Sequence, residues 1–214
     1  MEVLLIAGNF FAGSIEVVCG PMFSGKTEEL IRRVKRAQIA KQKIQIFKPV
    51  IDNRYSKTKV VSHSSLKVEA QPVSSSLEIF DKLFDSTRIV AIDEVQFFDD
   101  EIIEVVSRLA RRGCRVICAG LDQDYMGNPF GPMPHLLSIA DEVLKVHAIC
   151  TVCGHSASKT YRKKEEKNLE QVLIGESDRY EARCRNHIEY FEELENSKNF
   201  SSNKNVETSV SAVN

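Results

Sequence analysis

GPMFSGKT (Gly20, Pro21, Met22, Phe23, Ser24, Gly25, Lys26, Thr27) lies between a short β-rich run, Ser14 to Cys19 (SIEVVC), and a segment with apolar residues at Leu30, Ile31, Val34 and Ala37. The apolar spacing of the second segment is helical, so the order reads strand, loop, helix. The octapeptide fits G-x-x-x-x-G-K-[ST], and this is the context in which that pattern has a mechanism. Glycines let the backbone wind so that its N–H groups converge on phosphate oxygens. The helix N-terminus adds partial positive charge, the lysine contacts the β and γ phosphates, and the threonine hydroxyl ligates Mg²⁺. The pattern alone indicates nucleotide binding and no more, because ATPases, GTPases and kinases share it.

Working outward, Lys43 to Phe47 reads as a second strand stopped by Pro49, and Lys59 to Val68 as a strand or an extended loop. Ser75 or Ser76 can cap a helix carrying Leu77, Phe80 and Phe84. RIVAI, Arg88 to Ile92, has the unbroken apolar character of a strand buried on both faces. A helix from Asp99 to Arg112 opens with acids, closes with basic residues and stops at Gly113, and Arg115 to Ala119 is the next buried strand. Gly120 to Pro134 is a long loop rich in Gly, Pro and Asn, followed by a short helix and the strand Glu142 to Val146.

Asp93 and Glu94 follow the buried strand directly. An acid at the carboxyl end of a central strand can hold the magnesium water shell beside Thr27, leaving Glu94 free to take a proton from an attacking hydroxyl or from water. An acidic lead-in to the next helix is the bland alternative for Glu94. Val95 and Gln96, next along the segment, are expected to border the nucleotide as well.

Cys150-x-x-Cys153 and Cys184-x-x-His187 form two ligand pairs thirty residues apart, a Cys₃His set suited to tetrahedral structural Zn²⁺. The intervening segment has few large apolar residues, so coordination would supply its folding free energy. His155 competes with His187 but lies in the turn of the first knuckle. Reduced structural cysteines without metal are the plain alternative.

With 214 residues, 43% apolar and 28% charged, the chain has room for one substantial core plus a small module. Its formal net charge of -1 gives no bulk attraction to nucleic acid. Six cysteines do not make a disulfide-dense secreted scaffold, which favours reduced thiols and a cytoplasmic location. The apolar start lacks a basic flank, and no stretch has the apolar length of a membrane span. The expected division is an N-terminal extension at 1–13, a P-loop domain at 14–148, a zinc module at 149–192 and a disordered tail at 193–214.

Taken in order, GPMFSGKTEEL, KPVIDNRY, DEVQFF, GLDQDYMGNPFG, CTVCG, LIGESDRY and CRNH resemble the thymidine kinase family over about residues 14 to 190. The resemblance implies an α/β fold with a RecA-like P-loop NTPase core, a parallel-rich sheet and a small zinc-binding lasso domain. It implies transfer of the γ-phosphoryl group of ATP to the 5′-hydroxyl of thymidine, or of deoxyuridine, with Mg²⁺. Glu94 would be the base, with Lys26 and Arg54 beside the transferred group. The nucleoside pocket would comprise Asp52, Met22, Phe97, Leu121, Tyr125, Phe130, Thr160 and Tyr180, with the lasso backbone at Leu173, Ile174 and Gly175 reading the base edge. A homotetramer and feedback inhibition by thymidine triphosphate (dTTP) are also implied. Glu176, where the lasso commonly has a second glycine, and Tyr125, where phenylalanine is common, depart from the pattern.

The main rival is a zinc-containing P-loop ATPase acting on nucleic acid or a partner protein. It calls for a basic track, and the nearest one, Arg32, Arg33, Lys35 and Arg36, is expected to be the solvated side of the first helix. A nucleotide-sensing module without catalysis is a third reading.

Overall fold

The computed structural model describes residues 13–50, 59–61, 67–163 and 179–188. RIVAI behaves as its composition predicts, whereas the second strand, expected to be stopped by Pro49, runs through it, because Ile89–Ile92 pairs only as far as Phe47 and leaves Gln71–Val73 as the one neighbour there. β1 (Ser14–Cys19), β2 (Ile44–Pro49), β6 (Ile89–Ile92) and β7 (Arg115–Gly120) are almost wholly buried strands. With β5 (Gln71–Val73) and β8 (Glu142–Lys145) they form a six-stranded sheet ordered β5-β2-β6-β7-β1-β8. Every pairing in it is parallel. All its strands therefore end at one edge, where the connecting loops collect. β7 stands between the strand that leads into GPMFSGKT and the strand that leads into Asp93.

Alternation along the strands sorts two layers. Ile15, Val17 and Cys19 of β1, with Val116 and Cys118 of β7, face the helices α3 (Glu101–Arg111) and α4 (Met133–Ile139). Val18, Ile117 and Ala119 face α1 (Lys26–Ile39). Helix α3 buries Ile102, Val105, Val106 and Leu109, a complete i, i+3, i+4, i+7 stripe, at about 1.5–3 kcal/mol for each large side chain. An Asp at Val106 would break it. Arg108 and Arg111 occupy its last turn, and Gly113 at φ 84° supplies the left-handed stop expected from the sequence.

Two local expectations change. The helix begun at Ser75 is a single turn, α2 (Glu78–Asp81), with the Ser75 hydroxyl accepting from the Glu78 N–H at 3.4 Å. Leu77 and Phe84 remain exposed. The buried Gln45 side chain explains the early end: it donates to the Lys82 carbonyl at 2.7 Å and accepts from the Phe84 N–H at 2.8 Å, taking groups a longer helix would have used. Lys59 to Val68 resolves into β3 (Lys59–Val61) paired antiparallel with β4 (Lys67–Glu69).

Arg33 is not on a solvated face. Glu16 points from β1 into the α1 layer, where Arg33 donates to it, to Glu29 at 2.8 Å and to Glu142 at 2.9 Å, while Arg115 reaches Glu16 from β7. Arg32, Lys35 and Arg36 are exposed, so the basic surface is three residues rather than four. Among the described residues no helix is long and apolar enough to cross a membrane.

Beyond β8 the chain forms β9 (Ala148–Ile149) and β10 (Ser156–Ala157), then β11 (Lys159–Arg162), which pairs antiparallel with β12 (Tyr180–Arg183). The small core here is Ala148, Cys150, Ala157 and Ala182, too little apolar volume to hold a module without a cross-link.

Candidate active site

The loop Gly20 to Gly25 crosses from β1 to α1 with Gly20 at φ 146°, Phe23 at φ 64° and Gly25 at φ 85°. Positive φ values of this kind let a loop gather backbone N–H groups around an anion. A Cβ on Gly20 would stand 2.2 Å from the Val146 carbonyl, so only glycine fits where the loop leaves β1 against the end of β8. The Ser24 hydroxyl and the Lys26 ammonium both donate to the Pro21 carbonyl, at 2.7 and 2.8 Å. A phosphate oxygen would displace that neutral acceptor, since ionised acceptors form stronger bonds.

Beside the loop is a cleft of about 340 Å³ lined by Met22, Phe23, Lys26, Thr27, Glu94 and Leu121, among others. The Thr27 Oγ1 and the buried Asp93 Oδ2 are 3.5 Å apart although β7 separates their strands. That gap exceeds the usual O–H···O distance of about 2.8 Å. Two hard oxygen donors side by side at the phosphate loop suit a hydrated Mg²⁺.

Glu94 adopts φ 51°, ψ 41°, a left-handed conformation rare outside glycine and asparagine, at the start of the 3₁₀ turn Val95–Phe97. Its carboxylate accepts from Gln96 Nε2 at 2.6 Å, and Gln96 Oε1 accepts from the Leu121 N–H at 3.0 Å. Val95 is fully buried in the main core and Gln96 is 2% exposed, so of the four residues from Asp93 to Gln96 it is Glu94 that opens onto the cleft.

Phe97 and Phe130 meet edge to face, with centroids 5.5 Å apart. Tyr125 lies under the Arg162 guanidinium at 5.2 Å, and Tyr180 is a buried residue of β12. Thr160 of β11 accepts from the Met22 N–H at 3.0 Å, tying the second module to the phosphate loop. Asp52, Arg54, Leu173, Ile174, Gly175 and Glu176 lie outside the described residues.

Two further acids shape the site without belonging to its motifs. Asp124 Oδ1 accepts from the N–H groups of Met126 and Asn128, both at 2.9 Å, and so shapes the loop that carries Tyr125. The D-x-x-G-N run was the available signal for such a turn. Asp122, 7% exposed, pairs with Lys145 at 2.6 Å across the top of the sheet. Nothing in its local sequence announces that contact.

Cys150, Cys153, Cys184 and His187 bring their ligand atoms within 4.8 Å of one another. Cys153 and Cys184 Sγ are 3.8 Å apart, close to the ~3.8 Å edge of a tetrahedron with Zn–S bonds of about 2.3 Å. His187 Nδ1 lies 3.1 Å from Cys184 Sγ and 3.8 Å from Cys150 Sγ. Burial opposes ionisation of Cys150, yet N–H groups of Cys184, Val152 and Cys153 outweigh it and hold that thiol at about 6, toward the thiolate a metal needs. His155 contributes its backbone carbonyl to the Cys150 N–H at 2.8 Å and stays outside the cluster. By contrast, burial pushes the Cys19 thiol up to about 11 and Cys118 up to about 12, which makes them inert core residues.

A parallel sheet, a glycine-bounded phosphate loop at its carboxyl edge and a Thr27–Asp93 oxygen pair beside that loop define a P-loop nucleotide-binding protein of α/β class. The family model for thymidine kinase matches residues 13–188. The chain is also 59% identical over 174 residues to a thymidine kinase of Bacteroides thetaiotaomicron, an alignment covering 81% of this chain and 85% of the relative. It belongs to the thymidine kinase family.

Proposed function

We propose that the protein is an ATP-dependent thymidine kinase that transfers the γ-phosphoryl group of ATP to the 5′-hydroxyl of thymidine, giving thymidine monophosphate and ADP for nucleotide salvage. The observation that carries this reading is the Glu94 carboxylate, presented on the same cleft as Lys26 and Thr27. A carboxylate there can serve water or an acceptor hydroxyl, and membership of the thymidine kinase family favours the hydroxyl, whose proton Glu94 would receive as the new O–P bond forms and the bond to ADP breaks. Lys26 and the loop N–H groups hold the β and γ phosphates. Magnesium bound with ATP at Thr27 and Asp93 would offset the charge on the phosphates.

Phe97 and Phe130, set edge to face, with Tyr125, Leu121, Met22, Thr160 and Tyr180, would surround base and sugar. Asp52 and Arg54 belong to the reacting end in this reading, and the backbone of Leu173, Ile174 and Gly175 to the base edge. Structural Zn²⁺ on the Cys₃His set would secure the module at 149–192 beside the P-loop domain at 14–148. Deoxyuridine as a second acceptor, a homotetramer, dTTP feedback and a cytoplasmic location complete the reading, supported by family membership.

The test is an assay of purified protein with Mg²⁺-ATP and thymidine, deoxycytidine or no nucleoside. Monophosphate formation that depends on thymidine is expected. ATP hydrolysis indifferent to all three conditions would overturn the reading.

A further inference from the structure

We propose that Gln96 is a positioning residue for the catalytic carboxylate: its amide fixes the orientation of Glu94 against the backbone of the long loop after β7, and it does not itself bind nucleotide. This deepens the kinase reading and rests on Glu94 as the base.

Three observations carry it. Gln96 is 2% exposed, so its side chain has no free access to a ligand. Both ends of its amide are engaged within the protein, Nε2 donating to Glu94 Oε2 at 2.6 Å and Oε1 accepting from the Leu121 N–H at 3.0 Å. The surroundings are also shaped to admit it. A Cβ on Gly120 would stand 2.7 Å from Gln96 Oε1, and one on Gly131, at φ 48°, 2.4 Å from the Gln96 carbonyl.

The chemistry follows from this arrangement. A carboxylate on a two-methylene stem samples several rotamers, and a base is effective only when a lone pair points at the departing proton. Glu94 sits in a left-handed backbone conformation and lines the cleft, and the Gln96 amide adds a bond on Oε2 that narrows the directions its carboxylate can take. The Leu121 N–H in turn fixes the amide flip: only the oxygen can face that donor, so only the nitrogen can face Glu94. Leu121 lines the same cleft, so the relay joins the base to the wall of the acceptor site.

The experiment compares Gln96→Met and Gln96→Glu with the parent and with Glu94→Gln, in full-length zinc-loaded protein. kcat is measured at saturating ATP and thymidine, and dissociation constants for ATP and thymidine by calorimetry. Gln96→Met removes both contacts. Gln96→Glu keeps an acceptor for the Leu121 N–H at nearly the same volume but sets a second carboxylate against Glu94, separating support of the loop from orientation of the base. Both variants are expected to lose at least about tenfold in kcat, with both dissociation constants within threefold of the parent. Parental kcat in Gln96→Glu would overturn the proposal, as would a tenfold weaker ATP affinity with kcat retained at saturation. If Glu94→Gln keeps its rate, the base assignment itself fails. If Glu94→Gln is inactive while both Gln96 variants turn over normally, only the positioning role falls.

Discussion

The Met22 N–H of the phosphate loop donates to the Thr160 hydroxyl of β11 at 3.0 Å, joining segments 138 positions apart in sequence. Thr160 is 6% exposed, so deleting its hydroxyl strands a donor with little water to replace it. Thr160→Val should destabilise the loop by about 1–3 kcal/mol and weaken ATP binding about three- to tenfold, while Thr160→Ser should restore both. ATP titrations on the two variants check this. Equal affinity in Val and Ser variants would remove the bond from the binding energetics.

For Glu94→Gln the expected result is near-parental ATP and thymidine binding with kcat lower by a factor on the order of 10² or more, the usual cost of losing a general base. Single-turnover kinetics, which isolate the chemical step from product release, are the appropriate measurement. A rate near the parent's would take Glu94 out of that role.

Zinc chelation should loosen the β11–β12 pair, because the four ligands flank it and its own apolar core is small. Thymidine affinity is expected to fall more than ATP affinity, since Thr160 and Tyr180 lie on those strands, whereas the phosphate loop belongs to the β1–α1 connection and meets β11 at Thr160. Metal analysis before and after treatment, paired with both binding constants, tests the point. Equal losses would argue against a nucleoside-specific module.

The buried charges beneath α1 set an acid limit on stability. Burial raises the cost of ionising Glu16, but the Arg115 and Arg33 guanidiniums prevail and hold it below 4.5, while Arg32 and Arg33 pull Glu29 down to about 2. Both carboxyls bind fewer protons folded than unfolded. Their contribution is present above the unfolded carboxyl range and is lost as pH falls through the lowered folded values, for Glu29 toward about 2. Arg33→Met should cost about 1–3 kcal/mol at pH 7, because Glu16 keeps Arg115 but loses its second guanidinium, and should flatten part of the stability change between pH 5 and 3. Urea melts across that range would show it.

Gly120→Ala places a methyl group 2.7 Å from Gln96 Oε1 and 2.9 Å from Val95 Cγ1. Overpacking of about 1–3 kcal/mol is expected, together with a kcat loss that exceeds any loss of ATP affinity, because the displaced group is the one bonded to Glu94. Thermal melts and steady-state kinetics on one preparation separate the two effects.

The legible parts of this molecule are those whose physics is local. The phosphate loop, the acidic pair after β6 and the paired C-x-x-C and C-x-x-H spacings each fit within one turn or strand end, and all fall where the sequence indicates. α3 was readable for the same reason, with stripe, charges and stop signal all in one segment. What the sequence hid depends on distant partners. Arg33 resembles its exposed neighbours until Glu16 and Glu142 come beneath it. α2 ends early because of Gln45, more than thirty residues upstream. Gln96 belongs to a motif that suggests nucleotide, yet its partners are Glu94 and a backbone group twenty-five residues on.

The strand that presents the phosphate loop is held at both ends: Glu16 locks its base to α1 and β7, and Gly20 seats its tip against Val146. The loop's shape is thus settled when the chain folds, before any nucleotide arrives. Little conformational entropy is then left to lose on binding, so each encounter meets a preorganised anion cradle, and the free energy of phosphate contact remains available for holding the donor in line with its acceptor.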